Sequence, residues 1–449
     1  MITTTPPTTA IPTIARDTAI AWYRRNRART TALFDLLSPD LYYTKPIALR
    51  HPIVFYEGHL PAFSLNTLVK KGLGRAGVDA GLERLFARGI DPDDASQANE
   101  PSSWPKRGEV QAFAVAADAL VLDALANADL DVPNHPLLRR AEAVFAILEH
   151  EAMHQETLLY MWHRLPHEHK TRPASYSLIT EGAGMGLEDV YVPAGRATLG
   201  ALRGTIPFGW DNEIPRIDVD VPAFRMEAVN VTNADFLAFV DAGGYTQADW
   251  WSPEDWDWVR HEQLLNPPFW VRVADQWHWR GMFEMIPLPL GWPVYVSHAE
   301  ASAYARWRGR RLPTEAEYQR AAYGTPDDTS RAYPWGDETP TPVHGVFDFS
   351  SWEPQPVGSH PRGQSAWGVH DLLGNGWEWT STIFAGFPGF EPIPSYPEYS
   401  ADFFDGQHFV MKGASPATAV ELMRPSFRNW FRPRYPYVYA TFRCVTEAA

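Results

Sequence analysis

Two histidines stand four residues apart in the stretch His150-Glu151-Ala152-Met153-His154-Gln155-Glu156. Residues at positions i and i+4 lie on one face of an α-helix, so both imidazoles can bind a single metal ion. Burying an imidazole without a partner costs free energy, and two histidines at this spacing favour metal binding over a hydrogen-bonded core pair. Apolar residues extend the same face into the stripe of a core-facing helix, which comprises Ile147, His150, His154, Leu158 and Met161.

The same stretch also matches His-Glu-x-x-His, the zinc peptidase helix in which Glu151 would be the general base. Three features argue against a peptidase: no signal or pro-segment precedes the motif, no Met-turn pattern follows it, and a further histidine lies upstream. That histidine is His59, in the predicted helical stretch Pro52-Ile53-Val54-Phe55-Tyr56-Glu57-Gly58-His59-Leu60. Peptidases of this kind take their third ligand downstream of the helix, so His59 favours a metal site inside a helical bundle.

Length and composition exclude several classes of protein. With 449 residues the chain should hold two or three domains, and no apolar run reaches the roughly 18 residues that span a membrane. The net charge of −15 argues against a nucleic-acid surface, which needs a basic stripe. The single cysteine, Cys444, excludes an internal disulfide and fits a reducing cytoplasm. Residues 1–14 are rich in Thr and Pro, which predicts a disordered tail rather than a targeting peptide.

Residues 15–166 are predicted to form a four-helix bundle with one long polar loop, residues 91–105, between the second and third main helices. The interior of such a bundle is a usual place for metal sites, so His59 on the second helix is expected to meet His150 and His154 on the fourth. The predicted helices cover residues 15–37, 53–71, 107–128 and 134–163, the last of them capped by Asn134.

The sequence changes in character after a predicted linker at residues 167–188. Residues 189–449 contain short β-like runs, Gly and Pro turns and scattered Trp in place of long helical patterns. Two helices are still predicted, one from Asn233 to Asp241 and one from the capping box Thr314-Glu315-Ala316-Glu317 to about Tyr323. The predicted fold class is therefore α+β, with a helical bundle followed by a mixed domain.

Five short stretches of residues 189–449 form a recognisable pattern. They are Asp211-Asn212-Glu213-Ile214-Pro215, Val229-Asn230-Val231-Thr232-Asn233, Arg311-Leu312-Pro313-Thr314-Glu315-Ala316-Glu317, Tyr333-Pro334-Trp335-Gly336 and Leu373-Gly374-Asn375-Gly376-Trp377-Glu378-Trp379-Thr380. Through these stretches the region resembles the formylglycine-generating enzymes, whose fold is also C-type-lectin-like. The resemblance implies this fold but says little about chemistry, because the fold serves several functions. Formylglycine oxidases use a pair of cysteines, which the single Cys444 does not supply, and a non-catalytic binding protein is an alternative.

An N-terminal bundle with His…His-x-x-x-His-x-Glu, joined to this C-terminal domain, resembles the ergothioneine-type sulfoxide synthases over nearly the whole chain. In that family the bundle is DinB-like. Its members are mononuclear non-heme iron enzymes that couple a sulfur donor oxidatively to the imidazole of hercynine (trimethylhistidine). The resemblance implies Fe(II) as cofactor and O2 as co-substrate, with His59, His150 and His154 as the iron ligands.

Two stretches near the C-terminus also match this family: Pro388-Gly389-Phe390 through Tyr396-Pro397-Glu398-Tyr399-Ser400, and Arg424 through Trp430. The resemblance places the catalytic tyrosine, a proton donor during oxygen activation, on Tyr396. It places Asn429 and Trp430 in the hercynine pocket, where Asn429 would position the carboxylate. Trp430 and Tyr399 could offer aromatic faces to the quaternary ammonium, with ordinary core packing as the alternative explanation for Tyr399.

Three departures from the family concern the chalcogen donor. Synthases that take γ-glutamylcysteine have an Arg-x-x-Arg pair in the long loop, whereas Arg84 and Arg88 come nearest here and stand four apart. Phe431 replaces an acidic residue that helps to bind the donor's amino group, and Met153 replaces a glutamine. A zwitterionic donor would lack its charged partners, whereas Phe431 and nearby Tyr435 would suit a donor with hydroxyls and an apolar face.

This pattern resembles the selenoneine synthase branch, in which hercynine is coupled to a selenosugar. The stretches Phe55-Tyr56-Glu57-Gly58-His59 and Leu85-Phe86-Ala87-Arg88-Gly89-Ile90-Asp91-Pro92 also resemble that branch. We therefore predict a cytoplasmic, iron(II)- and O2-dependent enzyme that forms a C–Se bond between a selenosugar and hercynine and binds neither nucleic acid nor membrane. C–S bond formation with a thiol donor is the first alternative, and a zinc peptidase is the second.

Overall fold

The computed structural model describes residues 13–87, 104–182, 186 and 188–448 of the chain. Most of the predicted tail and most of the long polar loop lie outside these residues, and so does Arg88. Among the described residues, no helix has the length and apolar character needed to cross a membrane.

The first part of the chain folds as the predicted helical bundle. Helix α1 packs against α4 and α5, and α2 packs against the same two helices. The interior is continuous and apolar, with many side chains of α2, α4 and α5 fully buried. The helices are α1 (Arg16–Phe34), α2 (Ile53–Ser64), α3 (Ala80–Leu85), α4 (Arg107–Asn127) and α5 (Glu142–Arg164).

Two details of the bundle differ from the sequence-based prediction. Helix α2 continues past Pro61, whose missing N–H leaves out one hydrogen bond of the helix, and it changes to wider, π-helical turns over Leu65–Gly72. The predicted start of the last helix at Asn134 is wrong, because α5 begins at Glu142. Arg140 and Ala141 have φ values of 57° and 56°, and this left-handed backbone prevents the helix from extending upstream.

Helix α5 is the central element of the protein, since it is buried on nearly every side. Only Met153, Thr157 and Arg164 of its residues are not fully buried. The sequence pattern indicated one core-facing stripe, but the C-terminal domain covers the face that the bundle leaves open. Polar residues on that face are therefore buried as well, and each needs a partner from a neighbouring element.

The second part of the chain is a mixed domain of short strands and helices. The predicted helix Asn233–Asp241 is present as α6, and the capping box of Thr314 and Glu317 opens the predicted helix Glu315–Tyr323. The helices are α6 (Asn233–Asp241), α7 (Pro253–His261), α8 (His298–Trp307) and α9 (Glu315–Tyr323). The strands are β1 (Asp189–Val192), β2 (Gly195–Leu199), β3 (Ile217–Val221), β4 (Phe224–Glu227), β5 (Trp270–Val273), β6 (Gln276–Arg280), β7 (Met285–Pro287), β8 (Gly376–Ile383), β9 (Phe409–Ala414), β10 (Asn429–Phe431), β11 (Ala440–Thr441) and β12 (Val445–Glu447).

Four small sheets organise this domain. The largest has the strand order β10-β9-β8-β11, in which β11 runs parallel to β8 and the other pairs are antiparallel. The remaining sheets are β1-β4-β12, β2-β3 and β5-β6-β7. Strand β10 lies at the edge of the largest sheet, where Trp430 pairs with Val410 and Phe431 with Phe409.

A buried cluster of charges joins the two parts of the chain. Arg424 of the C-terminal domain donates to both carboxylate oxygens of Glu149 on α5, at 2.8 and 3.0 Å, and to Glu213 at 2.8 Å. The indole of Trp210 also donates to Glu149, at 2.9 Å. One guanidinium thus compensates two buried carboxylates, one from each domain.

Replacing this arginine should destabilise the whole protein. In Arg424→Met, two buried carboxylates lose their cation, and we expect the free energy of unfolding to fall by about 3–5 kcal/mol. The matched control is Arg25→Met, because Arg25 also pairs across the two domains, with Glu421, but 47% of its side chain is exposed. The control should cost less than about 1 kcal/mol. Equal losses in urea denaturation would show that Arg424 is no more important than a surface pair.

Candidate metal centre

The three predicted metal ligands come together inside the bundle. His59 lies on α2, and His150 and His154 lie one turn apart on α5. One ring nitrogen from each histidine lies within 4.8 Å of the other two. All three side chains are buried, so the cluster has the donor set and the spacing of a three-histidine metal site.

The hydrogen bonds of these rings leave nitrogens for a metal. Nδ1 of His59 lies 2.7 Å from the carbonyl oxygen of Phe86, to which it can donate, so that Nε2 keeps its lone pair. Among the described residues, no hydrogen-bond partner exists for Nε2 of His59, for either nitrogen of His150 or for Nδ1 of His154. Buried ring nitrogens without partners are costly, and a bound metal ion would supply the missing interaction.

The ionisation of the rings also fits metal binding. Burial lowers the pKa of His59 to about 4, and it lowers the pKa of His150 and of His154 well below the usual value for histidine. The imidazole of His59 and the positive charge of Arg50 lower the pKa of His154 further. The imidazoles are therefore neutral at pH 7, which is the form that binds metals.

Aromatic residues of α2 hold two of the rings in place. Phe55, His59 and Phe63 are spaced four residues apart and share one face of the helix. Phe55 stacks on His59 at 4.9 Å between centroids, and Phe63 stacks on His150 at 3.5 Å. Helix α2 thus supplies one predicted ligand, His59, and fixes the orientation of a second, His150 on α5.

Gly58 allows the close packing behind His59. A Cβ atom at this position would lie 2.4 Å from the ring of Phe86, which is far inside van der Waals contact. Phe86 is also the residue whose carbonyl oxygen is hydrogen-bonded to His59. The small residue before the histidine therefore lets the backbone of Phe86 reach the imidazole.

Glu151 does not occupy the position that a peptidase mechanism requires. Its carboxylate accepts hydrogen bonds from Arg27 at 2.8 Å and from Thr30 at 2.7 Å, both on α1. The side chain is fully buried, and these partners hold its carboxylate against α1 rather than against the histidine cluster. The structure therefore removes the general base of the peptidase alternative, and His59 lies beside the α5 pair rather than remote from it.

A cavity of about 250 Å³ opens beside the histidines, between α5 and the C-terminal domain. His150 and His154 line it, together with all six residues that were predicted to contact substrate or catalyse the reaction. These six are Met153, Tyr396, Tyr399, Asn429, Trp430 and Phe431. The structure thus brings together sequence stretches that are more than 200 residues apart.

Aromatic rings form the end of the cavity near Trp430. Tyr399 and Phe403 lie 5.3 and 5.6 Å from the Trp430 ring between centroids. Tyr399 stacks on Trp210 at 4.0 Å, and its hydroxyl donates to the sulfur of Met153 at 3.2 Å. Burial raises the pKa of Tyr399 well above its usual value, and nearby carboxylates add to this effect, so the phenol is neutral.

Tyr396 lies between this aromatic end and the histidine cluster. Its ring is 6.2 Å from that of His150, 5.3 Å from Phe63 and 5.8 Å from Tyr399. The side chain is partly buried and lines the cavity. It is therefore placed where a phenol can exchange a proton with a ligand held beside the histidines.

Arg50 and Tyr160 are cavity residues that the sequence did not indicate. Arg50 lies in a turn before α2, where no periodicity or motif marks it, and Tyr160 was indistinguishable from a core aromatic. The guanidinium donates to the hydroxyl of Tyr435 at 3.0 Å and to that of Tyr160 at 2.7 Å. Phe431, which also lines the cavity, stacks on Tyr435 at 5.1 Å between centroids.

Comparisons with known proteins agree with the two-part fold. Residues 23–158 match the DinB superfamily, and residues 178–448 match the sulfatase-modifying factor enzyme 1-like domain. The predicted fold class, a DinB-like bundle followed by a formylglycine-generating-enzyme-like domain, is confirmed.

Several curated proteins are similar along nearly the whole chain. "Hercynine oxygenase" of Mycobacterium tuberculosis is 36% identical over 429 residues, covering 94% of this chain and 97% of the relative. "Hercynine oxygenase" of Mycolicibacterium smegmatis is 33% identical, covering 97% and 100%. "Ergothioneine biosynthesis protein 1" of Schizosaccharomyces pombe is 29% identical and covers 91% of this chain, which spans 53% of that relative. Because relatives that are 36% and 33% identical match it over nearly their whole length, the chain belongs to the ergothioneine-type sulfoxide synthase family.

Proposed function

We propose that this protein is an iron(II)- and O2-dependent enzyme that couples a chalcogen donor to the imidazole of hercynine. The observation that supports this function most strongly is the meeting of His59, His150 and His154 beside a cavity that Tyr396 and Trp430 also line. The relatives named for hercynine oxygenation and ergothioneine biosynthesis support the same substrate class.

The three histidines would hold iron(II). Their neutral imidazoles would supply three ligands, and the adjoining cavity, which His150 and His154 line, leaves room for further ligands. Bound iron(II) would supply the activation of O2 and a binding position for the chalcogen. The surrounding rings of Phe55 and Phe63 exclude water and fix the ligand imidazoles.

Hercynine fits the aromatic end of the cavity. Its quaternary ammonium cannot accept or donate conventional hydrogen bonds, but it can lie against the rings of Tyr399, Phe403 and Trp430. Asn429 precedes Trp430 on β10 and also lines the cavity, where its side-chain amide would position the carboxylate. The imidazole of hercynine would then point toward the histidine cluster, past Tyr396.

Tyr396 would supply a proton during the coupling reaction. A phenol beside the reacting atoms would act as a general acid and direct oxidation toward bond formation between donor and hercynine. Its position between His150 and Tyr399 supports this role.

For the donor, we propose a selenosugar, which makes the reaction a C–Se bond formation. Phe431 stacks on Tyr435, so the position of the family's acidic residue is part of an aromatic wall. Such a wall can pack against the apolar face of a sugar ring. It has no carboxylate to pair with an ammonium group, which could contact only the π faces of the rings. The similarity to hercynine oxygenases supports the second candidate, C–S bond formation with a thiol donor.

Removing one predicted ligand should abolish iron binding. We expect His59→Ala to bind much less than one iron per chain after anaerobic loading, because two imidazoles remain on one helix without the third. Metal content by mass spectrometry measures this. His167→Ala is the control, since His167 bonds to the carbonyl of Gly281 away from the cluster. Full iron content in His59→Ala would disprove the ligand assignment.

Tyr396→Phe should separate binding from coupling. The variant keeps the ring, so hercynine should bind as in the wild type, while the coupled product falls by about 100-fold or more and oxidation of the donor alone takes over. Product analysis by mass spectrometry gives both yields. Tyr333→Phe, outside the cavity, should change neither. An unchanged product ratio in Tyr396→Phe would reduce Tyr396 to a packing residue.

The preference for the donor should depend on Phe431. We expect the wild-type protein to show a kcat/KM for a selenosugar that exceeds the value for γ-glutamylcysteine by about 100-fold or more, because burying unpaired charges costs several kcal/mol. Phe431→Asp should lower this ratio by raising the kcat/KM for γ-glutamylcysteine. Phe431→Leu should not raise the kcat/KM for γ-glutamylcysteine. Comparable turnover of both donors by the wild type would support ergothioneine synthesis and refute the selenosugar assignment.

A further inference from the structure

The stretch Asp211-Asn212-Glu213 belongs to the pattern that identifies the fold, but the proposed function does not use it. It forms a single turn of 3-10 helix in which all three side chains are fully buried. None of the three is among the described residues that line the cavity. Buried polar side chains need partners, and Asp211 finds two of its partners in the segment that carries Tyr396 and Tyr399.

The carboxylate of Asp211 is bonded to both ends of residues 393–400, here called the Tyr396 loop. Its Oδ2 atom accepts a hydrogen bond from the backbone N–H of Ile393 at 3.3 Å, and its Oδ1 atom accepts one from the hydroxyl of Ser400. Ile393 and Ser400 are fully buried as well. One side chain therefore joins the two ends of this loop.

Two backbone hydrogen bonds lie between these ends. The N–H of Tyr396 donates to the carbonyl oxygen of Ile393, and the N–H of Tyr399 donates to the carbonyl oxygen of Tyr396, each at 3.1 Å. Together with the two bonds of Asp211, they close the Tyr396 loop on itself, with Tyr396 near its middle. The backbone of Tyr396 is therefore held from both sides, and this backbone sets the direction in which the phenol leaves the loop.

Asn212 fixes the direction of the serine hydroxyl. Its side-chain amide donates to Oγ of Ser400 at 2.9 Å, which leaves the hydroxyl proton to donate to Asp211. The backbone N–H of Asn212 donates to Oδ1 of Asp211 at 2.8 Å. The third residue of the turn, Glu213, accepts from Arg424 at 2.8 Å. The turn is thus anchored on one side and holds the Tyr396 loop on the other.

We propose that Asp211 is a positioning residue for Tyr396, which holds the phenol beside the histidine cluster, where the proton is delivered. This inference rests on the proposed function, and it gives the buried turn a part in the reaction as well as in the fold. Proton transfer depends steeply on geometry. A Tyr396 loop that is opened at Ser400 should therefore lose coupling while both substrates still bind.

Two variants weaken the closure of the loop from its two sides. Ser400→Ala removes the hydroxyl, and Asp211→Asn keeps the shape but replaces one accepting oxygen by an amide donor. We expect the ratio of coupled product to oxidised donor to fall by about tenfold in each, by the same factor with a selenosugar and with γ-glutamylcysteine. The double variant should fall little further than the single variants, because both changes act on the same closure.

Hercynine and iron should still bind to these variants. Asn429 and Trp430 lie on β10, outside the Tyr396 loop, and Tyr399 stacks on Trp210. The Kd of hercynine and the iron content after anaerobic loading should therefore change by less than about twofold. A low product ratio at unchanged substrate and metal binding is the result that separates positioning of the phenol from a general loss of structure.

Hydrogen–deuterium exchange gives a measurement that needs neither iron nor turnover. The amides of Tyr396 and Tyr399 both donate within the closed loop. In metal-free Ser400→Ala they should exchange about tenfold faster than in the wild type, because local opening of the loop has lost one opposing hydrogen bond. The amides of α5 should exchange at the wild-type rate, which would show that the change is confined to the loop.

The matched control is Ser297→Ala. Ser297 is also fully buried, and its hydroxyl donates to the buried carboxylate of Glu300 at 2.7 Å, at the start of α8. It is not among the described residues that line the cavity. The control should lower the Tm about as much as Ser400→Ala, but it should change neither the product ratio nor the exchange of residues 393–400.

Three results would overturn the proposal. Wild-type exchange of Tyr396 and Tyr399 in both variants would show that Asp211 does not order the loop. An unchanged product ratio despite faster exchange would show that the order of the loop does not matter for the reaction, and a matching loss of iron or hercynine would make the role purely structural. Failure of the proposed function is distinct: the wild type would then give no coupled product with any donor, while the exchange rates would still decide whether Asp211 holds Tyr396.

Discussion

The structure depends on one constraint, which is that α5 is buried on nearly every side while its carboxylates remain paired. Glu151 is bonded to α1, Glu149 to an arginine of the C-terminal domain, and Glu156 to an indole and two hydroxyls of the same domain. Since a buried carboxylate without a partner is costly, each pair fixes the rotation of α5 against one neighbour. The two histidines of this helix consequently face α2 and the cavity.

The two domains contribute different parts of the site. The bundle supplies the imidazoles of the proposed metal site and the rings that orient them, whereas the C-terminal domain supplies Tyr396, Tyr399 and the residues of β10. Arg50 connects the two, because its hydrogen bonds reach one phenol in each domain. A complete cavity therefore exists only when the domains are docked, and the buried Arg424 cluster is part of what keeps them so.

The sequence predicted those features that depend on local spacing or on a motif. The four-residue spacing of His150 and His154 predicted a shared helix face, and the capping box at Thr314 predicted the start of α9. The start of α5 was missed because the left-handed backbone at Arg140 and Ala141 has no marker such as glycine. Arg50 was missed because only the docking of distant elements makes a turn residue part of the cavity.

The placement of β10 has a consequence for how such a protein can diverge in evolution. An edge strand pairs on one side only, here with β9, and β10 is only three residues long. A substitution at Phe431 changes the cavity wall at the edge of the sheet, and on α5 it meets the ring of Tyr160, 6.4 Å away between centroids, rather than a histidine. Substrate specificity can therefore change through single substitutions on this strand while the oxidative chemistry is retained. This is expected where function depends on the residues of a site and not on the fold as a whole.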